Sequence, residues 1–470
     1  MSILIRGGRI VTAADDFVAD VFIDGERVAL IGADLDVAAE RTIDASGKYV
    51  LPGCIDPHTH LDMPFGGTVT IDDFESGQGS AACGGTTCHV DFCIQGKGQT
   101  FAEALEGWHA KANGKTLIDY GFHIAVTDLA DEERLEELAT LPEQGITSYK
   151  LFMAYKNVLQ VDDEILFRAM EVAAASGALV MVHAENGDAI DVLVREALAR
   201  GDTAPINHAL TRPPELEGEA TNRAIQLSRI AGSPLYVVHV TCREAVEPIR
   251  RARERGWSVW GESCTQYFFR SIDDLAQPGF EGAKYVYSPP ARDAANHDVL
   301  WDAVRTDALS AISTDHCAFL FAGQKTLGQD DFTKIPNGGP GLEDRLKMIH
   351  HFGVNLGRIS LNRMVDLLAT QPAKLFGLYP RKGTVAVGAD ADLVVFDPER
   401  RETMSASTHH SRCDYNLYEG TEVVGAPELV LLRGSVLVED GELVAAPGTG
   451  RFVRRARFGE QLEMGAPVPS

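Results

Sequence analysis

Apolar and polar positions divide the chain into regions of different texture. From residue 3 to about 50, short β-like runs (ILIRGG, RIVTA, DVFIDG, RVALIG, RTIDA, KYVLPG) alternate with Gly and Asp and show no helix-length period. That is how a small sheet reads. The same texture returns near the C-terminus in GTVAVGADADLVVFDP and ELVLLRGSVLVEDGELVA. Residues 1–52 and 380–445 are therefore expected to form one split β-sandwich, provided the middle of the chain brings its two ends together.

Between them, residues 53–379 carry recurrent β-branched or apolar runs at 49–60, 84–93, 120–128, 145–154, 177–186, 233–241, 256–264 and 309–316. Most are followed by amphipathic stretches such as DDEILFRAMEVAAAS and REAVEPIRRARERG. The first of these opens on Asp162 and Asp163, acids suited to the positive end of a helix. Strand–helix alternation of this kind predicts an α/β fold, a parallel (β/α)₈ TIM-like barrel, beside the small β domain. Residues 446–470 form a tail with Arg451, Arg454, Arg455 and Arg457, read either as a contact to a neighbouring subunit or as a solvated terminus.

Composition narrows the field. The 470 residues are 45% hydrophobic and 24% charged, as in a soluble globular protein. A net charge of −25 argues against a nucleic-acid partner, whose phosphates need clustered Lys and Arg. The start, MSILIRGGRIVTAADD, lacks the apolar core of a signal peptide, and no run approaches a membrane span. The 8 cysteines include no C-x-x-C pair and read as buried thiols, so a reduced, cytoplasmic protein is expected.

In such a barrel, active-site groups come from the C-terminal ends of the strands and the loops after them. His58 and His60 close the first run, and Lys150 lies toward the end of the fourth. His183, His239 and Asp315 lie near the ends of the fifth, sixth and eighth. Residues i and i+2 of a strand point the same way, so His58 and His60 can face one ion. His183 or His239 alone reads as a hydrogen-bonded core histidine; together the four read as ligands. Nitrogen and carboxylate donors suit zinc best, with manganese, cobalt or iron as substitutes. Two close ions need an anionic bridge, and a protonated Lys150 would be repelled. A neutral amine can react with carbon dioxide to give a bridging carbamate, a reading that spacing leaves open beside an ordinary salt-bridged lysine.

The segments DPHTHLDMPFGG, SYKLFMAY, VHAEN, VVHVTCREA, GESCTQYFF, YSPPAR, STDHCAF and IPNGGPGLEDR, in that order, closely resemble the D-hydantoinase/dihydropyrimidinase family. The resemblance extends over essentially the whole chain, including GTVAVGADADLVVFDP. It implies a barrel beside a β-sandwich, two Zn²⁺ per subunit (Mn²⁺ or Co²⁺ as substitutes) and a homotetramer. Carried across by position, it makes His58, His60 and Asp315 ligands of the more buried ion. His183 and His239 become ligands of the more exposed ion, and Lys150 the carbamylated bridge (N6-carboxylysine). It also assigns substrate contacts: Tyr155 toward the carbonyl under attack, and backbone groups at Ser288 and Asn337 along the ring's amide edge. Met63, Phe65, Phe152 and Leu159, on the loops after the first and fourth strands, are expected to offer an apolar wall to a ring substituent; the alternative is ordinary loop packing.

The implied activity is hydrolytic ring opening of small cyclic amides, 5-substituted hydantoins or dihydropyrimidines, to N-carbamoyl amino acids by a hydroxide bridging two metal ions. Asp315 would pass the water's proton to the departing nitrogen, and Tyr155 would help stabilise charge on the carbonyl oxygen. Allantoinase shares this machinery and stays open. A dihydroorotase of the usual pattern carries an Arg shortly after H-x-H, where this chain has Leu61, Asp62 and Met63, and Asp62 would repel a substrate carboxylate. A non-catalytic assembly protein of the same fold is the remote alternative, since such relatives have lost ligands that this chain keeps.

Overall fold

The structure, a computed structural model, describes residues 1–129 and 131–461. All of the central runs contain strands: Cys54–Thr59, Thr86–Ile94, Asp119–Ala125, Ser148–Phe152, Leu179–His183, Leu235–Val237, Val259–Cys264 and Ala311–Ser313. They pair in that order in an 8-stranded sheet, every neighbour parallel. The ring is drawn together beyond the last strand, where His60 N donates to His316 O at 2.8 Å. Helices cover the outside, and local chemistry sets their ends. The helix Asp163–Ser176 is capped by the Asp162 side chain, which accepts from Ile165 N, and stops at Gly177 with φ 76°.

The chain ends meet as expected, but their hydrogen bonding joins them into one continuous 9-stranded, mostly antiparallel sheet. Its seam is Tyr49–Pro52 against Leu393–Thr403, with Val50 opposite Val395. Ile3, Ile5, Val21, Ile23, Val395 and Leu431 fill its core. Gly53 connects this sheet to the first barrel strand at a point where a Cβ would lie 2.0 Å from Thr87 Oγ1. A buried ionic cluster ties the bodies together. Lys382 Nζ lies 2.7 Å from Asp119 Oδ2 and 2.5 Å from Asp392 Oδ2, and Arg433 also donates to Asp119. Removing one member would strand buried charge, at a cost of about 3–5 kcal/mol.

The arginine-rich stretch is not a solvated terminus. Residues 451–458 run under the barrel of their own chain, with Val453 N to Tyr120 O at 2.7 Å, Ala456 N to Gly377 O at 2.9 Å and Phe458 N to Gly177 O at 2.8 Å. Arg455 is buried and donates to Phe122 O at 2.6 Å and Ser148 Oγ at 2.9 Å. Phe458 packs against the barrel-filling cluster of Phe92, Met181, Tyr236 and Phe376. The rest of the expected tail contact, 462–470, lies outside the described residues.

Candidate metal centre

Each candidate ligand stands at or near the end of a barrel strand. His58 and Lys150 lie within their strands, His183 ends the fifth, and His60, His239 and Asp315 lie just beyond theirs. His239, Asp315 and Tyr155 have left-handed backbones, with φ of 40°, 49° and 68°. Non-glycine residues held there cost about 1–3 kcal/mol each and persist where the surroundings fix them, typically at functional sites.

The side chains converge. Asp315 Oδ1 lies 3.2 Å from His58 Nε2 and 3.1 Å from His60 Nε2. The rings of His58 and His239 are 5.4 Å apart, and those of His183 and His239 4.5 Å. Lys150, 1% exposed, points among them with Nζ 5.0 Å from the Phe92 ring centre and 5.1 Å from that of Phe152.

Burial sets the charge states. It pushes Lys150 down to about 7, with Asp315 and Glu262 opposing. It also drives His58 and His239 well below the ordinary histidine value, toward the neutral imidazole that binds metal. Asp315 resists its own burial because His58, His60 and Lys150 hold its pKa below the usual carboxylate range.

The donor set fits a pair of divalent cations. Lys150 Nζ, His60 Nδ1 and His239 Nδ1 are buried with no hydrogen-bond partner among the described residues, which costs stability unless something else satisfies them. His58, His60 and Asp315 already place one ligand atom each within 4.8 Å of one another. A second acidic group, Asp119, Asp390 and Asp392, is equally compact, but Lys382 Nζ lies 2.7, 3.1 and 2.5 Å from its members, and with Arg433 on Asp119 and Arg381 on Asp390 it balances their charge.

Two supporting carboxylates escaped the sequence reading. Glu262 Oε1 is 2.5 Å from His58 Nδ1, and its Oε2 accepts from Tyr236 OH at 2.9 Å. Glu185 Oε2 is 2.8 Å from His183 Nε2. Such partners fix the tautomer and orientation of a ligating histidine. The available signals were a Glu inside an apolar strand in VWGESC and a Glu two places after His183.

On the open side, Tyr155, Ser288 and Asn337 line the same cavity as the candidate ligands. Asn337 Nδ2 donates to Ser288 Oγ at 3.1 Å, and Ser288 Oγ meets His208 Nε2 at 3.1 Å. Burial raises the Tyr155 phenol, keeping it a neutral donor. Met63, Phe65, Phe152 and Leu159 line the cavity too, with Phe65 edge-on to Tyr155 at 5.5 Å. Ile94, Tyr287 and Gly338, which sequence reading had not placed there, complete it with Cys317, which the sequence puts two residues after Asp315. His316 turns away, as strand alternation suggests, with Nε2 3.0 Å from Asp72 Oδ2 and Nδ1 accepting from Gly341 N.

A model of the amidohydrolase family matches residues 49–437. The D-hydantoinase of Geobacillus stearothermophilus is 56% identical over 98% of this chain and 98% of the relative. That of Streptomyces coelicolor is 51% identical over 96% and 98%. Among solved structures, the dihydropyrimidinase from Brevibacillus agri superposes with a TM-score of 0.97 at 55% identity, covering 98% of this chain and 100% of that one.

Proposed function

The chain belongs to the D-hydantoinase/dihydropyrimidinase branch of the amidohydrolase family, and from that membership we propose that it opens hydantoin and dihydropyrimidine rings by hydrolysing one ring amide. The observation that carries this reading is the convergence, from five barrel strands into one cavity, of four histidines, one aspartate and a buried lysine that has no hydrogen-bond partner among the described residues.

His58, His60 and Asp315 would hold one cation, His183 and His239 the other, and Lys150, once carbamylated, would bridge them. Its burial supports this, because the neutral amine is the form that captures carbon dioxide. The resemblance adds zinc as the metal and a homotetramer, and the pattern of cysteines a cytoplasmic setting; among the described residues no helix is long and apolar enough to cross a membrane.

A divalent pair at such a site supplies water acidified toward a pKa of ~7 and polarisation of the scissile carbonyl. The chain's own groups do the rest. Asp315 accepts the water's proton and returns it to the departing nitrogen. The Tyr155 hydroxyl donates to the carbonyl oxygen as charge develops there, a contribution of roughly 10²–10³ in rate for one such donor. Groups at Ser288 and Asn337 align the ring's amide edge.

The test is purified protein offered hydantoin, dihydrouracil, dihydroorotate and allantoin, with and without added zinc or manganese. Metal-dependent opening of the first two is expected. Turnover of allantoin or dihydroorotate alone, or of none in metal-replete protein, would overturn the assignment.

A further inference from the structure

Beside the metal cavity lies a larger one of about 650 Å³. Phe65, Tyr155 and Asn337 line both, so the two meet where a ring substituent would leave the site. Ile190, Val194 and Phe332 give the outer cavity apolar wall, and its ionic groups are Lys156, Arg212 and Lys334 against Asp191.

The cations are not equivalent. Lys156 is paired with Asp188 at 2.8 Å and Lys334 with Asp331 at 3.4 Å. Arg212 is half-buried and, among the described residues, pairs with no carboxylate. Its Nη1 donates to His208 Nδ1 at 3.2 Å and His208 O at 3.1 Å, and reaches Thr211 Oγ1 at 3.5 Å. Its Nε and Nη2 make no hydrogen bond to these residues. The guanidinium is nonetheless anchored, because His208 is buried and its Nε2 is tied to Tyr287 O at 3.0 Å and Ser288 Oγ at 3.1 Å. A positioned arginine with free donors beside an apolar wall is built to receive a planar anion.

We propose that this outer cavity is a substituent subsite in which Arg212 recognises a carboxylate at the end of the ring's side group. The inference rests on the cyclic-amide reading and deepens it by naming a substrate class. The chain's net charge of −25 works against anionic ligands at long range, so a preference for them has to originate locally.

The test uses two substituents of nearly equal shape on the metal-loaded full chain: 5-(2-carboxyethyl)hydantoin and its neutral counterpart, 5-(2-carbamoylethyl)hydantoin. The wild type is expected to favour the acid by about 10-fold in kcat/KM, mostly through KM, with the ratio falling as salt rises. Arg212→Gln should bring the ratio to one or below, and Arg212→Lys should keep part of it. A wild-type ratio at or below one overturns the proposal, as does a ratio unchanged in Arg212→Gln. If Arg212→Gln does not fold, a wild-type preference indifferent to salt or undiminished in Arg212→Lys overturns it. Failure to open even unsubstituted hydantoin and dihydrouracil would instead sink the cyclic-amide reading beneath it, so the two failures are distinguishable.

Discussion

Replacing Glu262 tests whether the barrel interior holds His58 ready for a cation. Glu262 is fully buried, with one oxygen 2.5 Å from His58 Nδ1 and the other accepting from Tyr236 OH at 2.9 Å. In Glu262→Gln the amide keeps a carbonyl for His58, while its NH₂ turns to Tyr236, whose hydroxyl can accept as well as donate. The negative charge is lost, and the Tyr236 hydroxyl proton loses its acceptor as that bond reverses. Partners behind a ligating histidine are typically worth 10–100-fold in metal affinity, so this variant belongs near the low end, ~10-fold. That corresponds to about 1.4 kcal/mol. Glu262→Ala removes the hydrogen bond as well and belongs near ~100-fold, or about 2.7 kcal/mol. It also leaves two buried donors, His58 Nδ1 and Tyr236 OH, without this partner, each taking a further ~1–3 kcal/mol from the fold. Equilibrium dialysis against graded zinc buffers, with bound metal measured by mass spectrometry, reads the first effect. Thermal melts of the metal-free chains read the second. Wild-type zinc retention in both variants would refute the idea that Glu262 acts through His58.

Lys150→Ala should lose most of its bound metal and regain it with added short-chain carboxylic acids; full two-metal loading without them would rule out the bridge. Tyr155→Phe should lower kcat by about 10²–10³ with both ions retained, as one lost oxyanion donor predicts, and unchanged turnover would exclude that role. Burial opposes ionisation of Asp72, but its bonds from His316, Arg412 N and Ser411 hold it at about 2. A depressed carboxyl adds stability above its unfolded value of ~3.9 and loses it as pH falls through the folded one, here on the order of 2 kcal/mol. The melting gap between wild type and Asp72→Asn should therefore be full at pH ~6 and close as pH drops toward ~2, whereas a gap constant down to pH ~3 would contradict that origin.

The barrel was legible because its strands are buried on both faces and so read as unbroken apolar runs, each interrupted where it reaches the cavity. Those interruptions, from His58 to Asp315, made the candidate ligands visible as well. Glu262 was not legible as a partner of His58, since 204 residues separate them and only barrel closure brings them together. The tail misled for a related reason. An arginine cluster reads as a subunit contact or a solvated terminus, yet Arg455 is buried against Phe122 O of its own chain, 333 residues away, an acceptor no local pattern announces. Arg212 likewise gains significance only from the cavity it lines. The continuous seam between the chain ends depends on the pairing of Val50 with Val395, which alternation within either strand cannot specify.

The central claim concerns cations at the barrel's open end, and anomalous diffraction from zinc-replete crystals addresses it most directly. Two peaks are expected, one within ~2.0–2.2 Å of His58, His60 and Asp315 ligand atoms and one of His183 and His239. Both should share density extending from Lys150 Nζ. An empty cavity in zinc-replete crystals, or a single ion beside an unmodified lysine, would contradict the account.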